Sequence, residues 1–189
     1  VSKYPYGWSW VSPSFHVMPE MPGRLFGVLP ERGDIVIVTP RGGNSDYIKR
    51  VIGLPGDRIE MVGGQLLING ERIRRERVAS PMIPVDANVP CEPIAYGGGR
   101  PGGQFLRDYR VRGEDGRIYC RPPIVRETLP NGRRYDTIDD GETTADDFAA
   151  LTVPEGHLWL MGDNRDHSAD SRLPLESQGL GGPVPFENI

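Results

Sequence analysis

The sequence predicts an all-β protein, with a twisted antiparallel, partly closed barrel-like core and a smaller β-rich cap inserted into it. Three observations carry this. The 189 residues include 25 glycines and 19 prolines, which leaves little room for long helices. Short β-branched apolar runs alternate with turn signals. Asn69-Gly70 lies between two strand-like runs, the strongest short-range hairpin signal. The core is expected from residues 1–75 and 151–189, and the cap from residues 76–150, where the composition shifts toward Pro, Gly and charge.

Residues 1–30 are rich in Tyr, Trp, Pro and Met and have no clear period. Asp34-Ile35-Val36-Ile37-Val38-Thr39 is a strand by its apolar β-branched run. The run from Tyr47 to Ile52 is the next, and Leu54-Pro55-Gly56 fixes where it ends. Residues 65–68 and 71–74 form the two arms of the Asn69-Gly70 hairpin. In the cap, Glu114-Asp115-Gly116 and Asn131-Gly132 mark two more hairpins, and residues 146–151 predict a short helical turn. The glycine-rich residues 97–103 are a loop. With no strand leading in and no helix following, they are a poor match to a phosphate-binding loop. The core pattern resumes at His157-Leu158-Trp159-Leu160-Met161.

Net charge is −4, and no basic block is longer than two residues, which argues against nucleic acid as a partner. No apolar run reaches the ~18 residues of a membrane-spanning helix, and no signal-peptide pattern is present. The chain opens on Val1 without a methionine and is expected to be a piece of a longer protein. Cys91 and Cys120 are too few for a metal set. They are either two buried thiols or one disulfide formed in an oxidising compartment. No cofactor is expected.

Lys49 is the residue with the most chemical promise. Strand alternation puts it on the face of Tyr47 and Val51, opposite Ile48 and Arg50. Apolar surroundings disfavour the charged amine and lower its pKa, and a lysine so placed can act as a base toward a hydroxyl. Arg50 cannot do this, because it stays protonated. The ordinary alternative is a surface lysine on a half-exposed strand. A hundred residues later comes Gly162-Asp163-Asn164-Arg165-Asp166-His167-Ser168-Ala169-Asp170-Ser171-Arg172. It fails as a calcium loop, since the twelfth position is not Glu and two arginines sit among the acids. It suits a loop folded around its own ion pairs, Asp170 with Arg172 and Asp166 with Arg165. Ser168 would lie within reach of the lysine amine.

These two segments, together with Arg32-Gly33-Asp34-Ile35-Val36 and the closing Val184-Pro185-Phe186-Glu187-Asn188-Ile189, resemble the sequence boxes of bacterial signal peptidase I (leader peptidase). The likeness covers both ends of the chain in order and hardly touches residues 76–150. It implies a membrane-anchored serine endopeptidase with a Ser-Lys dyad. Such an enzyme removes signal peptides from exported preproteins on the periplasmic face of the inner membrane. By the resemblance, Lys49 is the general base and Ser168 orients its amine. Arg50, Asp170 and Arg172 form the supporting ion-pair cluster. Ile37, Asp46, Tyr47 and Ile48 line the groove for an extended peptide with small residues before the cut. No metal belongs to the site.

One departure matters. The family's nucleophile lies in a Pro-Ser-x-Ser-Met-x-Pro box. In Pro13-Ser14-Phe15-His16-Val17-Met18-Pro19, His16 stands where the serine would be. Either the serine has been replaced, or this segment is not the box. The expectation adopted is the second. Residues 1–7 resemble the segment that follows the serine box, so the nucleophile and the membrane anchor are expected upstream of Val1, and the fragment alone is expected to be inactive. Ser14 and Ser171 are the fallback nucleophiles. His16, His157 and His167 are not required as triad members. Trp8, Trp10 and Phe15 are either core residues or a rim facing the bilayer. Two rivals stand beside this reading: another Ser-Lys maturation peptidase, and a non-catalytic peptide-binding β module.

Overall fold

The computed structural model describes residues 27–40, 45–86, 91, 109–139 and 141–189. The strands among them run in chain order as follows. The first group is β1 (Ile35–Val38), β2 (Tyr47–Gly53), β3 (Arg58–Val62), β4 (Gln65–Ile68), β5 (Glu71–Arg72), β6 (Arg74–Val78) and β7 (Ile83–Pro84). The second is β8 (Arg110–Arg112), β9 (Ile118–Cys120), β10 (Ile124–Thr128), β11 (Arg134–Ile138), β12 (Phe148–Thr152), β13 (His157–Met161) and β14 (Val184–Pro185). All strand pairings are antiparallel. Four sheets result, in the orders β1-β2-β13-β14, β12-β3-β4-β5, β11-β10-β6 and β7-β9-β8. The antiparallel all-β expectation therefore holds. None of the four sheets closes into a barrel.

Around β13 the sheet carrying Lys49 is buried on both faces, as alternation along that strand shows, while Ile35 and Ile48 are exposed at its β1 side. Leu158 and Leu160 enter one cluster with Val36, Val38, Val51, Leu180, Val184 and Ile189. Trp159 and Met161 point the other way, into a second cluster with Ile52, Ile59, Leu66 and Ile68. Each fully buried aliphatic side chain here contributes about 2 kcal/mol through removal of its surface from water. Lys49 therefore lies on a strand whose backbone is anchored from both sides.

The hairpin signals are realised. Asn69 and Gly70 take φ of 56° and 81°, the two left-handed positions that a two-residue turn joining β4 to β5 requires. The turn at residues 114–116 joins β8 to β9, and the turn at 131–132 joins β10 to β11. The helical turn expected over residues 146–151 is corrected. A short 3-10 turn, Thr144–Asp146, is closed by a capping box between Thr143 and Asp146, and the chain then extends into β12. The reason is packing: Phe148 stacks on Trp159 with centroids 5.1 Å apart, and Leu151 pairs in register with Ile59.

The tryptophan-rich start of the chain, with Trp8, Trp10, Ser14, Phe15, His16 and the whole of residues 13–19, lies outside the described residues. So does the glycine-rich loop 97–103. Among the described residues no helix is long and apolar enough to cross a membrane.

Of the two states left open for the cysteines, the structure has the bridge. Cys91 and Cys120 are joined, with Cα atoms 5.5 Å apart, which ties residue 91 to β9. Closing a loop over a separation of 29 residues stabilises by about 3–4 kcal/mol in the chain-entropy picture. A thiol-reagent titration of unreduced, denatured protein is expected to find no free thiol. Two reactive thiols would exclude the bridge.

Candidate active site

Lys49 is set in place by the β1–β2 register, opposite Val36. As alternation predicts, it shares its face with Tyr47 and Val51. Its amine lies 5.3 Å from the centroid of the Tyr47 ring. The amine is hydrogen-bonded to Ser168, with Nζ to Oγ at 3.1 Å. Burial lowers the lysine pKa, and this is the largest influence on it. Asp170 opposes the shift, Arg172 adds to it, and Asp163 opposes it more weakly.

Ser168 is buried and is carried by the loop of residues 162–172, which closes on itself through Asp170. That carboxylate accepts from Gly162 N–H at 2.9 Å, Arg172 Nη2 at 2.9 Å, and Arg172 Nε and N–H at 3.0 and 3.1 Å. Asp170 and Arg172 side chains are both fully buried. Arg172 Nη2 also donates to the Arg165 carbonyl at 2.6 Å. Asp170 and Arg172 thus form the pair expected from their spacing.

Gly162 is a position that sequence analysis did not single out. A Cβ built on it would overlap Ser168 Oγ and come within 3.7 Å of the Lys49 amine. The absence of a side chain is what lets the hydroxyl and the amine meet.

Arg50, on the opposite face from Lys49, grips Asp163 with two parallel hydrogen bonds, Nε to Oδ1 at 2.8 Å and Nη2 to Oδ2 at 2.7 Å. Its third contact is the Gly33 carbonyl at 2.8 Å. This planar two-point grip is available to arginine and not to lysine. The expected pairing of Arg165 with Asp166 is corrected: Arg165 reaches instead to Glu127 on β10, with Nη1 to Oε1 at 2.8 Å and a second bond from Nη2 to Oε2. Tyr135, on β11, donates its hydroxyl to Glu127 at 2.6 Å and accepts from Arg165 at 3.0 Å. Burial raises the pKa of the Tyr135 phenol, so it stays protonated. Arg165 and Glu127 are 2% and 0% exposed, so a lone partner here would be a charge stranded out of water. A sequence signal did exist: in β10 and just beyond, Glu127 alternates in phase with Val125 and Leu129, on the inward face.

The expected groove residues lie on or beside β1 and β2 but not on one face: Ile37 and Ile48 share the face opposite Tyr47 and Lys49. Among the described residues β1 is one of the two edge strands of its sheet. Ile37 sits opposite Ile48, which is 64% exposed, and Tyr47 sits opposite Val38. The Asp46 carboxylate accepts from Thr39 Oγ1 at 2.7 Å. The exposed Ile35 continues the apolar strip. Ser171 is buried, and its hydroxyl accepts from Leu160 N–H at 3.1 Å. His157 Nδ1 lies 2.9 Å from the Glu155 carbonyl oxygen. His167 is half-buried.

A β scaffold that sets a partly buried lysine amine against a serine hydroxyl, inside a loop held by ion pairs, is an arrangement able to support lysine-assisted hydroxyl chemistry. The family described as "Signal peptidase, peptidase S26" matches residues 27–189, and the chain belongs to that family. Among its relatives, signal peptidase I of Rickettsia canadensis (strain McKiel) is 37% identical over 200 residues, covering 100% of this chain and 60% of the relative. Signal peptidase I of Rickettsia typhi (strain ATCC VR-144 / Wilmington) is 37% identical over 197 residues with the same coverage. The chain therefore spans about 60% of the length of these relatives. A solved signal peptidase I from Enterococcus faecalis V583 aligns at 22% identity with a TM-score of 0.39, covering 85% of this chain and 93% of that one.

Two outcomes follow from the geometry. Because the folded pKa of Lys49 is lowered, the unfolded chain holds the extra proton between that value and 10.5, and native stability from this group rises with pH across the window. Lys49→Met is accordingly expected to stabilise the fold at neutral pH, by a margin that shrinks as pH approaches 10.5. Urea denaturation at several pH values checks this, and a margin that grows with pH would be the wrong sign. Gly162→Ala is expected to destabilise by about 1–3 kcal/mol through overpacking against Ser168, readable as a lowered urea midpoint.

Proposed function

We propose that the chain is the catalytic region of a serine endopeptidase that removes signal peptides from exported preproteins, with Lys49 as general base. The observation that supports this most is the 3.1 Å contact between the Lys49 amine and Ser168 Oγ, in a partly buried setting, within the residues that match the family. The neutral amine takes the proton of an attacking serine hydroxyl as its oxygen bonds to the scissile carbonyl. It then returns that proton to the leaving amine, and water releases the acyl group by the same route. Ser168 holds the amine in line. Arg50, Asp170 and Arg172 hold the loop that carries Ser168.

The attacking serine is assigned to a segment upstream of Val1, as the sequence resemblance implies. The substrate is an extended peptide that adds to the edge of β1, with small residues before the cut seated near Ile37, Asp46, Tyr47 and Ile48. The catalytic core is assigned to residues 1–75 and 151–189, with residues 76–150 as an inserted cap. The place of work is the outer face of the inner membrane, reached through an N-terminal anchor.

The product of the full gene is expected to cleave an Ala-x-Ala reporter peptide. Lys49→Ala should lower kcat by at least about a hundredfold, the usual weight of a general base, and Ser168→Ala by less. Lys49→Ala with undiminished kcat would refute the assignment.

A further inference from the structure

The resemblance confines the catalytic machinery to boxes at the two ends of the chain. Yet the loop that carries Ser168 is held from the middle. Glu127 and Tyr135 face each other across the β10–β11 pair. Glu127 meets the Arg165 guanidinium with both oxygens, and the Tyr135 hydroxyl bonds to both partners. Above them the Arg50 guanidinium stacks on the Tyr135 ring, 4.5 Å from its centroid. Arg50 also grips Asp163, at the start of the Ser168 loop.

The backbone repeats the connection. Ile138 N–H donates to the Asp163 carbonyl at 2.9 Å, and Arg165 N–H donates to the Ile138 carbonyl at 2.9 Å. These two bonds make a parallel bridge between the end of β11 and Asn164. Arg165 in turn offers its carbonyl to Arg172, which holds Asp170, which holds Gly162 N–H, the contact point of Ser168.

We propose that Glu127 and Tyr135 are positioning residues for the Lys49–Ser168 pair, so that the β6-β10-β11 sheet is a working part of the site. The inference rests on the peptidase reading for its kinetic consequence, but its geometric content stands apart from it. The charge logic is specific. Arg165 is buried, and a buried guanidinium without its carboxylate cannot stay in place cheaply. Without Glu127 the Arg165 side chain turns toward water and draws its own backbone carbonyl off Arg172. The loop then loosens, water reaches the amine, and Lys49 loses the desolvation that disfavours its charged form. Tyr135 acts more mildly, since its ring supports Arg50 and its hydroxyl only completes the pair.

The test uses the full gene product with ¹³C-labelled lysine. The Lys49 side-chain resonance, assigned by its loss in Lys49→Ala, is titrated by NMR, and kcat and KM for a signal-peptide reporter are measured across pH. Glu127→Gln is expected to move the Lys49 midpoint upward by about one unit, a tenfold change in its proton affinity. It should lower kcat at neutral pH about tenfold and shift the rising limb of the rate profile with it, while KM changes little because β1 is untouched. Tyr135→Phe, which keeps the ring under Arg50 and the core volume, should show the same changes at smaller size and serves if Glu127→Gln does not fold. A Lys49 midpoint and rate profile unchanged in the folded variants would overturn the proposal, even if their denaturation midpoints fell. Failure of the peptidase reading looks different: Lys49→Ala would then retain cleavage, while the NMR midpoint still reports on the positioning role.

Discussion

An amine partly withdrawn from water has two stable options. It can take a proton and find a counter-ion, or stay neutral and find a hydrogen-bond partner. Lys49 has both within reach, since Ser168 lies at 3.1 Å and Asp170 acts on it electrostatically. What decides between them is how Asp170 is engaged. Its two oxygens already accept from Arg172 three times and from Gly162 N–H. A carboxylate so committed, beside a permanent guanidinium, presents little net charge to the lysine. The opposing pulls of Asp170 and Arg172 leave burial as the dominant influence. Remove that balance, and a lysine near a free aspartate becomes an ordinary ion pair.

The same reasoning accounts for the density of charge in a lean domain. Buried ion pairs are poor contributors to stability when compared with apolar packing, because each ion gives up its hydration. They are good at fixing register, since their partners are few and directional. Three pairs, the buried Arg172 with Asp170 and Arg165 with Glu127 and the half-exposed Arg50 with Asp163, hold one eleven-residue loop in one conformation. The loop has no strand or helix of its own, apart from the bridge at Asn164. Side-chain bonds therefore do for it what ladder bonds do for a sheet.

Much of this was legible in the sequence, and what escaped did so for identifiable reasons. Strands β1, β2, β4 and β13 announce themselves by β-branched or apolar runs, and Asn69-Gly70 by its turn chemistry. The face of Lys49 and the Asp170–Arg172 pair came from period and spacing alone. Strand β6 did not announce itself. Its sequence Arg-Arg-Glu-Arg-Val looks like a solvated stretch until its cross-strand partners are known, with Arg75 opposite Glu127 and Glu76 opposite Arg126. The partner of Arg165 was misjudged because Asp166 is adjacent and Glu127 is 38 residues away. Neighbours along a chain are easy to pair on paper, yet Arg165 is buried against β10 while Asp166 begins a turn. The helical turn near residue 148 failed for a related reason: Met61 and Ile59 of β3, which pair with Phe148 and Leu151 in the sheet, are remote in sequence.

That point about adjacent residues bears most heavily on Lys49 and Arg50 themselves. They are consecutive cations on one strand, and the pleat sends them to opposite faces. The titratable one goes among Val36, Val51 and Tyr47. The one that never gives up its proton goes to Asp163, whose charge it matches at two points. Exchanged, the pair would put a guanidinium that cannot act as a base beside Ser168, and a lysine that cannot make the two-point grip beside Asp163. A one-residue slip of β2 would do the same damage without altering any residue. On the proposed reading the register is therefore as much a part of the chemistry as the amine. It is held by Val51 and Ile52, which enter different apolar clusters directly after the pair and leave β2 one way to lie.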